Sequence, residues 1–413
     1  MKEKLLTFRI GAFAVVWLVF CVLTLLSPQL RVLRGNSDFL AQYTAGRLLL
    51  NHQGSSLYQF DLQEQVQRDV LASLDSDVQF HGGLLPFIHP PFVAWLYLPT
   101  AWLPYAAALL LWNVFSFACF ATGIVKLVRY YRLCEQPDLE RLIALCLVFV
   151  PVVATLLQGQ NTFVAFLFLV LAFLELKQGF EFRSGIWLSL VLVKFQLLPV
   201  PLLMLLLKRR WKALFGFLAG SSVLLLVSLY VVRLEGCWSY LKLLGEMPGW
   251  VDRYGINPLK AHCIRGQMFL LFYNRLPGVI PGLTGLLSIS VVMLVLRCWK
   301  GKWNPGSPLF DLKFALLVIA GLLVAPHVNF HDLALLLLPG LIIFHHTRRG
   351  GLLQQSRLRL MLLVVGFPLQ LLAFVSSPTV PLQINVIGLS VLGGMVLSAL
   401  RPGRVSEVGS LVS

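Results

Sequence analysis

Residues 184–207 read SGIWLSLVLVKFQLLPVPLLMLLL, and the way this stretch meets a bilayer decides the arrangement of the whole chain. In length and apolar content it matches one transmembrane helix of about 20 residues. Yet Lys194 stands mid-run, with Pro199 close behind it. A lysine at mid-membrane costs about 2.5–3.5 kcal/mol on insertion scales and is usually tolerated for a partner or a ligand. Proline lacks a backbone donor and breaks a helix interior. The stretch is therefore expected to dip into the membrane, break around Lys194 and return, instead of crossing once.

Working outward, the rest of the 413-residue chain is also membrane-like: 58% hydrophobic and 13% charged, with a mean hydropathy of +0.80. A soluble core of this length cannot hide so much apolar surface. Ten full spans are expected, at 8–27, 104–126, 142–157, 161–177, 212–232, 278–297, 311–326, 331–346, 357–375 and 380–400. Residues 87–99 are too short to cross and carry Pro90, Pro91 and Pro99. The prediction is one all-α polytopic domain over 1–413, with broken or re-entrant helices and with outer segments 28–103 and 233–277 covering a site. The net charge of +16 resides in short basic clusters between apolar runs. That is the pattern of cytoplasmic loops and excludes a nucleic-acid partner.

Orientation follows from those clusters. Lys2, Lys4 and Arg9 place the amino terminus in the cytoplasm. With a break at Lys194, the clusters Lys208-Arg209-Arg210, Arg297/Lys300/Lys302, Arg348/Arg349 and Arg401/Arg404 all follow on the inner side. Both termini are then cytoplasmic, and 28–103, Gln158–Asn161, 233–277 and His327–Asp332 share the outer face. A single straight crossing at 184–207 would destroy that convergence.

Five groups on this face could carry chemistry. Asp38 is either the N-cap of an interfacial helix or a carboxylate held at the surface as a general base. His89, before Pro90 and Pro91, is either interfacial or part of a pocket wall stiffened by the prolines. Gln158-Gly159-Gln160-Asn161 is either a tight polar turn or a set of carboxamides for sugar hydroxyls. His327, His331 and Asp332 form a polar interhelical turn or a set of phosphate or hydrogen-bond contacts, or His327 and His331, four apart, form a metal pair. No third ligand is indicated, so no metal or cofactor is expected. Arg265 suits bidentate phosphate contact or a lipid headgroup. Cys237 and Cys263 either pair in an outer loop or stay as free thiols.

In this order the motifs resemble glycosyltransferase family 87. The resemblance rests on Asp38-Phe39 with Tyr43-Thr44-Ala45-Gly46-Arg47 and Leu57-Tyr58, on His89-Pro90-Pro91-Phe92, and on Gln158–Asn161. It continues through Gly185–Pro199 with Lys194, Lys208-Arg209-Arg210-Trp211, and Ala325-Pro326-His327 to Asp332-Leu333. Two positions depart: His89 replaces the usual tyrosine before the double proline, and Phe330 an acidic residue. The resemblance implies a GT-C superfamily fold and a polyprenyl-phosphate-mannose-dependent mannosyltransferase. Asp38 takes the place of the catalytic aspartate, and His327 or His331 that of the later histidine.

Together these readings give a hexosyltransferase of the bacterial inner (plasma) membrane. The expected reaction moves a hexose, mannose foremost, from a polyprenyl-phosphate donor to a glycolipid or glycan hydroxyl, with inversion. Asp38 would be the base, with Lys194, Arg265, His327 and His331 near the donor phosphate. Tyr43, His89, Gln158, Gln160, Asn161 and Asp332 would contact substrate, and membrane lipid would surround the whole. The alternative is a transporter or lipid flippase, for which short loops, a mid-membrane polar path and internal symmetry would be expected. Here only Lys194 is deeply placed.

Overall fold

A computed structural model describes residues 37–74, 84–133, 139–251, 254, 257–347, 356–366, 368–375 and 382–400. The span expected at 8–27, Cys21, Cys134 and the clusters at 348–349 and 401–404 lie outside these. Every element among the described residues is helical. Among the described residues, four helical stretches are long and apolar enough to cross a membrane: Tyr105–Tyr130, Trp211–Gly249, Pro277–Cys298 and Phe330–Thr347. The span expected at 142–157 is broken in two, and those expected at 161–177, 311–326 and 380–400 are shorter helices.

In chain order, α1 is Phe39–Leu50, α2 Phe60–Ala72 and α3 Pro91–Tyr97; α4 is Tyr105–Tyr130, α5 Leu139–Val148 and α6 Val150–Leu157. The span expected at 142–157 divides into α5 and α6 because Pro151 lacks the donor a continuous ladder needs. Thr162–Lys177 forms α7, Glu181–Leu190 α8, Pro199–Leu207 α9 and Trp211–Glu246 α10. Next come α11 (Ile264–Phe272), α12 (Ile280–Cys298), α13 (Pro308–Val324) and α14 (Leu337–Thr347). Last are α15 (Ser356–Gly366), α16 (Pro368–Val375) and α17 (Ile384–Ala399).

The Lys194 stretch breaks. A 3-10 segment, Val191–Leu197, separates α8 from α9, and Lys194 has the non-helical angles φ −133°, ψ 58°. Contacts between α8 and α10 show that the chain turns back. A Cβ on Gly216 would lie 2.0 Å from the Phe182 carbonyl oxygen, one on Gly185 1.9 Å from that of Ala213, and one on Gly220 2.0 Å from Ser189 Oγ. From Glu181–Arg210 through Gly185–Ala213 to Ser189–Gly220 the residue numbers rise together, so the two helices run parallel. The intervening α9 must therefore return to the level where α8 began. The Glu181–Arg210 ion pair closes that level, and the small residues let the backbones touch.

Helices α4 and α7 are parallel too: Ser116 Oγ donates to Gln160 O (3.4 Å), and Phe120 and Phe163 lie 4.7 Å apart. The bundle thus has two distinguishable ends. One carries Lys177 paired with Asp311 at 2.5 Å, which also receives Tyr131 Oη (3.0 Å) and lies 3.1 Å from His346 Nε2. The other carries the Asp38, Gln160 and Lys194 group. At Arg233 the backbone is non-helical (φ 57°, ψ −176°), so the span expected at 212–232 ends at a kink, and the second helical part of α10 exposes Leu234, Trp238 and Leu241 along one flank. Cys237 and Cys263 do not pair: both are free, with Cys263 buried beside the start of α11 and Cys237 on the extended α10.

Candidate active site

At the second end lies an open cleft of about 750 Å³, lined in part by Asp38, Gln42, His89, Gln160, Lys194, His327, His331 and Asp332. Its floor is built by the turn between α6 and α7. Gly159 adopts φ +57°, which favours glycine, and a Cβ there would lie 2.6 Å from Phe39 Cβ. The turn docks on the start of α1: Phe39 N donates to Gln158 O (3.0 Å) and Asp38 N to Gln158 Oε1 (3.0 Å). Gln158 therefore does the capping. Although Asp38 holds the N-cap position, its side chain makes no capping bond, and its carboxylate is free for the cleft.

From Asp38 a single hydrogen-bonded chain crosses the site. Gln160 Nε2 donates to Asp38 Oδ2 (2.6 Å), while Gln160 Oε1 accepts from Lys194 Nζ (3.3 Å). Lys194 Nζ also donates to Asp332 Oδ1 at 2.5 Å, both side chains being almost wholly buried. Asp332 accepts further from Thr162 Oγ1 (3.3 Å) and Asn329 N (2.9 Å). The partner that a mid-run lysine calls for is thus Asp332, in a buried ion pair. Two of the lysine's three donors are used within the protein.

The histidines flank this chain. His331 Nε2 sits 3.5 Å from Asp332 Oδ1 without a hydrogen bond, and Thr155 Oγ1 donates to its carbonyl (3.1 Å). His327 Nε2 lies 2.8 Å from Asn329 Oδ1 while its Nδ1 is buried and unpartnered. Burial lowers the His327 pKa. His89, whose carbonyl receives Tyr58 Oη (2.8 Å), is lowered to about 3 by burial and then by Lys194. Burial conversely raises the Asp38 carboxyl above the usual range, against the Gln160 hydrogen bond and the Lys194 charge, which lower it. A carboxylate with raised basicity among neutral imidazoles is suited to taking a proton.

Four of the expected site residues do not line the cleft. Tyr43 Oη is turned to Leu103 O (2.8 Å), Gln158 caps α1, and Asn161 is fully buried at the start of α7. Arg265 lies at the rim, donating to Pro326 O (3.4 Å) and Pro248 O (3.1 Å), over the Phe269 ring at 4.9 Å. Gln42, Gln196, Tyr254 and Asn329 line the cleft without having been expected. Gln42 follows Asp38 by one helical turn and Gln196 follows Lys194 by two residues, which are usable signals; Tyr254 carries none.

A membrane protein whose elements among the described residues are all helical, with a buried acid–amide–lysine–acid chain at one end of its bundle, is the class these features define. The sequence model of glycosyltransferase family 87 matches residues 87–326, more than half of the chain. The chain belongs to that family and is a membrane glycosyltransferase. A comparison with curated proteins returned no match. The matched segment contains His89, Gln160, Lys194 and Arg265 but stops short of Asp38 on one side and of His327, His331 and Asp332 on the other. Folding brings those outlying residues onto Gln160 and Lys194.

Proposed function

We propose that the protein transfers a hexose, mannose foremost, from a polyprenyl-phosphate donor to an acceptor hydroxyl at the outer face of the plasma membrane. We read the fold as GT-C-type with about ten spans, the amino-terminal apolar run at 8–27 included. The observation that carries this reading is the Asp38 carboxylate, relieved of capping, partly open to the cleft and fixed by Gln160 at 2.6 Å.

The acceptor oxygen attacks the anomeric carbon, the carbon–oxygen bond to phosphate breaks, and its electron pair leaves on the phosphate. Asp38 takes the hydroxyl proton as the new bond forms. A single displacement of this kind inverts the anomeric centre. Phosphate is already a good leaving group, so a strong acid is not required. Charge developing on it is met by the remaining donor of Lys194, by His327 and His331, and by Arg265 at the rim. His89, Gln160 and Asp332 hold that geometry around the sugar.

A lipid-linked donor is favoured by a second cavity, an open apolar groove of about 710 Å³. Its walls include Leu142, Phe149, Leu336, Leu337, Phe344 and Leu362. The 3-10 helix Phe330–Leu336 carries His331 and Asp332 at its cleft end and Leu336 at its groove end. At about 2 Å per residue, phosphate in the cleft and prenyl chain in the groove are roughly 10 Å apart.

The test uses vesicles containing the full chain, a radiolabelled polyprenyl-phosphate hexose and a membrane glycan fraction. Asp38→Asn is expected to lower transfer by at least about 100-fold, the scale of a lost general base. Full transfer by Asp38→Asn would sink the assignment. Label moved across the vesicle wall without a new glycosidic bond would favour the transporter alternative.

A further inference from the structure

Three polar atoms in the cleft wall are buried and make no hydrogen bond: Gln42 Oε1, His327 Nδ1 and His331 Nε2. A buried polar atom left so costs about 1–3 kcal/mol, and at a cleft wall the natural partner is a ligand. Transfer chemistry gives the histidines a task but leaves Gln42 without one. Its free atom is an amide oxygen, which accepts only, so the ligand group it seeks is a hydroxyl or an N–H. Gln42 lies one turn after Asp38, and side chains four apart on a helix stand about 5–6 Å from each other at Cβ. Adjacent hydroxyls of one ring can meet both side chains at once. The single hydroxyl of a serine or threonine side chain can meet only one.

Tyr254 also lines the cleft. Its ring is wedged edge-on between Phe60 (5.0 Å, 70°) and Trp250 (5.1 Å, 67°). Its backbone is in the left-handed region, φ 53°, a conformation that costs about 1–3 kcal/mol in a non-glycine residue and collects at ligand clamps. A rigid aromatic face is a platform for the C–H face of a pyranose, as for other flat apolar surfaces.

We propose that Gln42 and Tyr254 form the acceptor subsite. On this reading the acceptor presents a saccharide ring with vicinal hydroxyls: the ring stacks on Tyr254, one hydroxyl donates to Gln42 Oε1, and its neighbour faces Asp38. Gln42 thereby selects which hydroxyl receives the sugar. The inference rests on the cleft being the transfer site, and it excludes a protein side-chain acceptor.

Saturation-transfer NMR on the full chain in lipid nanodiscs tests it, with methyl pyranosides and a threonine-containing peptide as probes. Ring protons of the pyranosides are expected to receive saturation and the peptide none. The signal should fall about tenfold in Tyr254→Leu and in Gln42→Leu, and persist in Tyr254→Phe, which keeps the ring. Tyr273→Ala, an exposed aromatic just beyond α11, is the control and should bind as the wild type does. Absence of pyranoside binding, equal binding of the peptide, or wild-type signal in both leucine variants would each overturn the subsite. No lipid-linked donor is present, so an error about the donor appears in the vesicle assay and not here.

Discussion

Asp38 can act as a base because other groups have taken over the duties its position would impose. Gln158 and Ser37 satisfy the first amides of α1, while Gln160 holds the carboxylate from the other side. Burial raises the Asp38 pKa above its ordinary 3.8, so transfer should fail on acidification at a higher pH than an exposed aspartate would give. Gln160 donates to the charged form, and a hydrogen bond to a charged group is worth about 1.5–3 kcal/mol. Its removal in Gln160→Leu therefore raises the Asp38 pKa further, and the acid limb of kcat/KM should move up by about one pH unit or more. His89, lowered to about 3, is already neutral through that range, and His89→Phe should leave the limb in place. A limb that shifts with His89→Phe and not with Gln160→Leu would reassign the titrating group. At this scale sequence singled out Asp38, Lys194 and the 327–332 histidines by residue type, since each is costly or unusual where it stands. It could not separate Gln160, which joins two charges, from Gln158, which caps a helix. That distinction is set by which way two neighbouring amides point from one turn.

The element that organises the site is the break between α8 and α9. It was legible because a lysine and a proline interrupt an otherwise apolar run, and the structure adds what the break is for. Lys194 is carried to Asp332 in the segment before α14, 138 residues away, so one ion pair ties the re-entrant pair to the histidine-bearing loop. Breaking a buried pair from one side costs about 3–5 kcal/mol, whereas replacing both partners by apolar groups is often neutral. Lys194→Met should accordingly lower the apparent melting temperature sharply, measured by the fluorescence of detergent-solubilised protein. The double variant Lys194→Met with Asp332→Leu should recover most of that loss while remaining inactive in transfer. A double variant as unstable as the single one would show that the lysine acts through something other than this pair. The division of α5 from α6 was less legible, because a proline in an apolar run reads equally as a kink or as an end. Past the kink at Arg233, α10 enters the segment expected to lie outside, 233–277. Leu234, Trp238 and Leu241 repeat on one flank only, a pattern of an interfacial helix that a hydropathy window for full spans does not register.

At the scale of the whole molecule, the parallel seams of α8 with α10 and of α4 with α7 fix which loops share an end of the bundle. Lys177, Lys208, Arg210, Gly301 and Asp311 are joined at one end by the Lys177–Asp311 pair, the Glu181–Arg210 pair and the Lys208–Gly301 hydrogen bond. Asp38, Gln160, Lys194 and His327–Asp332 meet at the other. The first end also holds Arg209, Lys212, Lys300 and Lys302 in short connections, and short loops dense in lysine and arginine stay cytoplasmic. The site end should then face outward, where a lipid-linked sugar and a glycan could meet. This orientation is testable without any substrate. In a cysteine-free background, Lys302→Cys and Leu276→Cys place one thiol at each end of α12, both at exposed positions. A membrane-impermeant maleimide applied to intact cells should label Leu276→Cys fully and Lys302→Cys only after the membrane is opened. The reverse pattern would turn the cleft toward the cytoplasm and remove the polyprenyl-phosphate reading's outer-face donor, while leaving the Asp38 chemistry intact. Equal labelling from outside would mean that the two ends of α12 do not lie on opposite sides of the bilayer, and the span itself would have to be withdrawn.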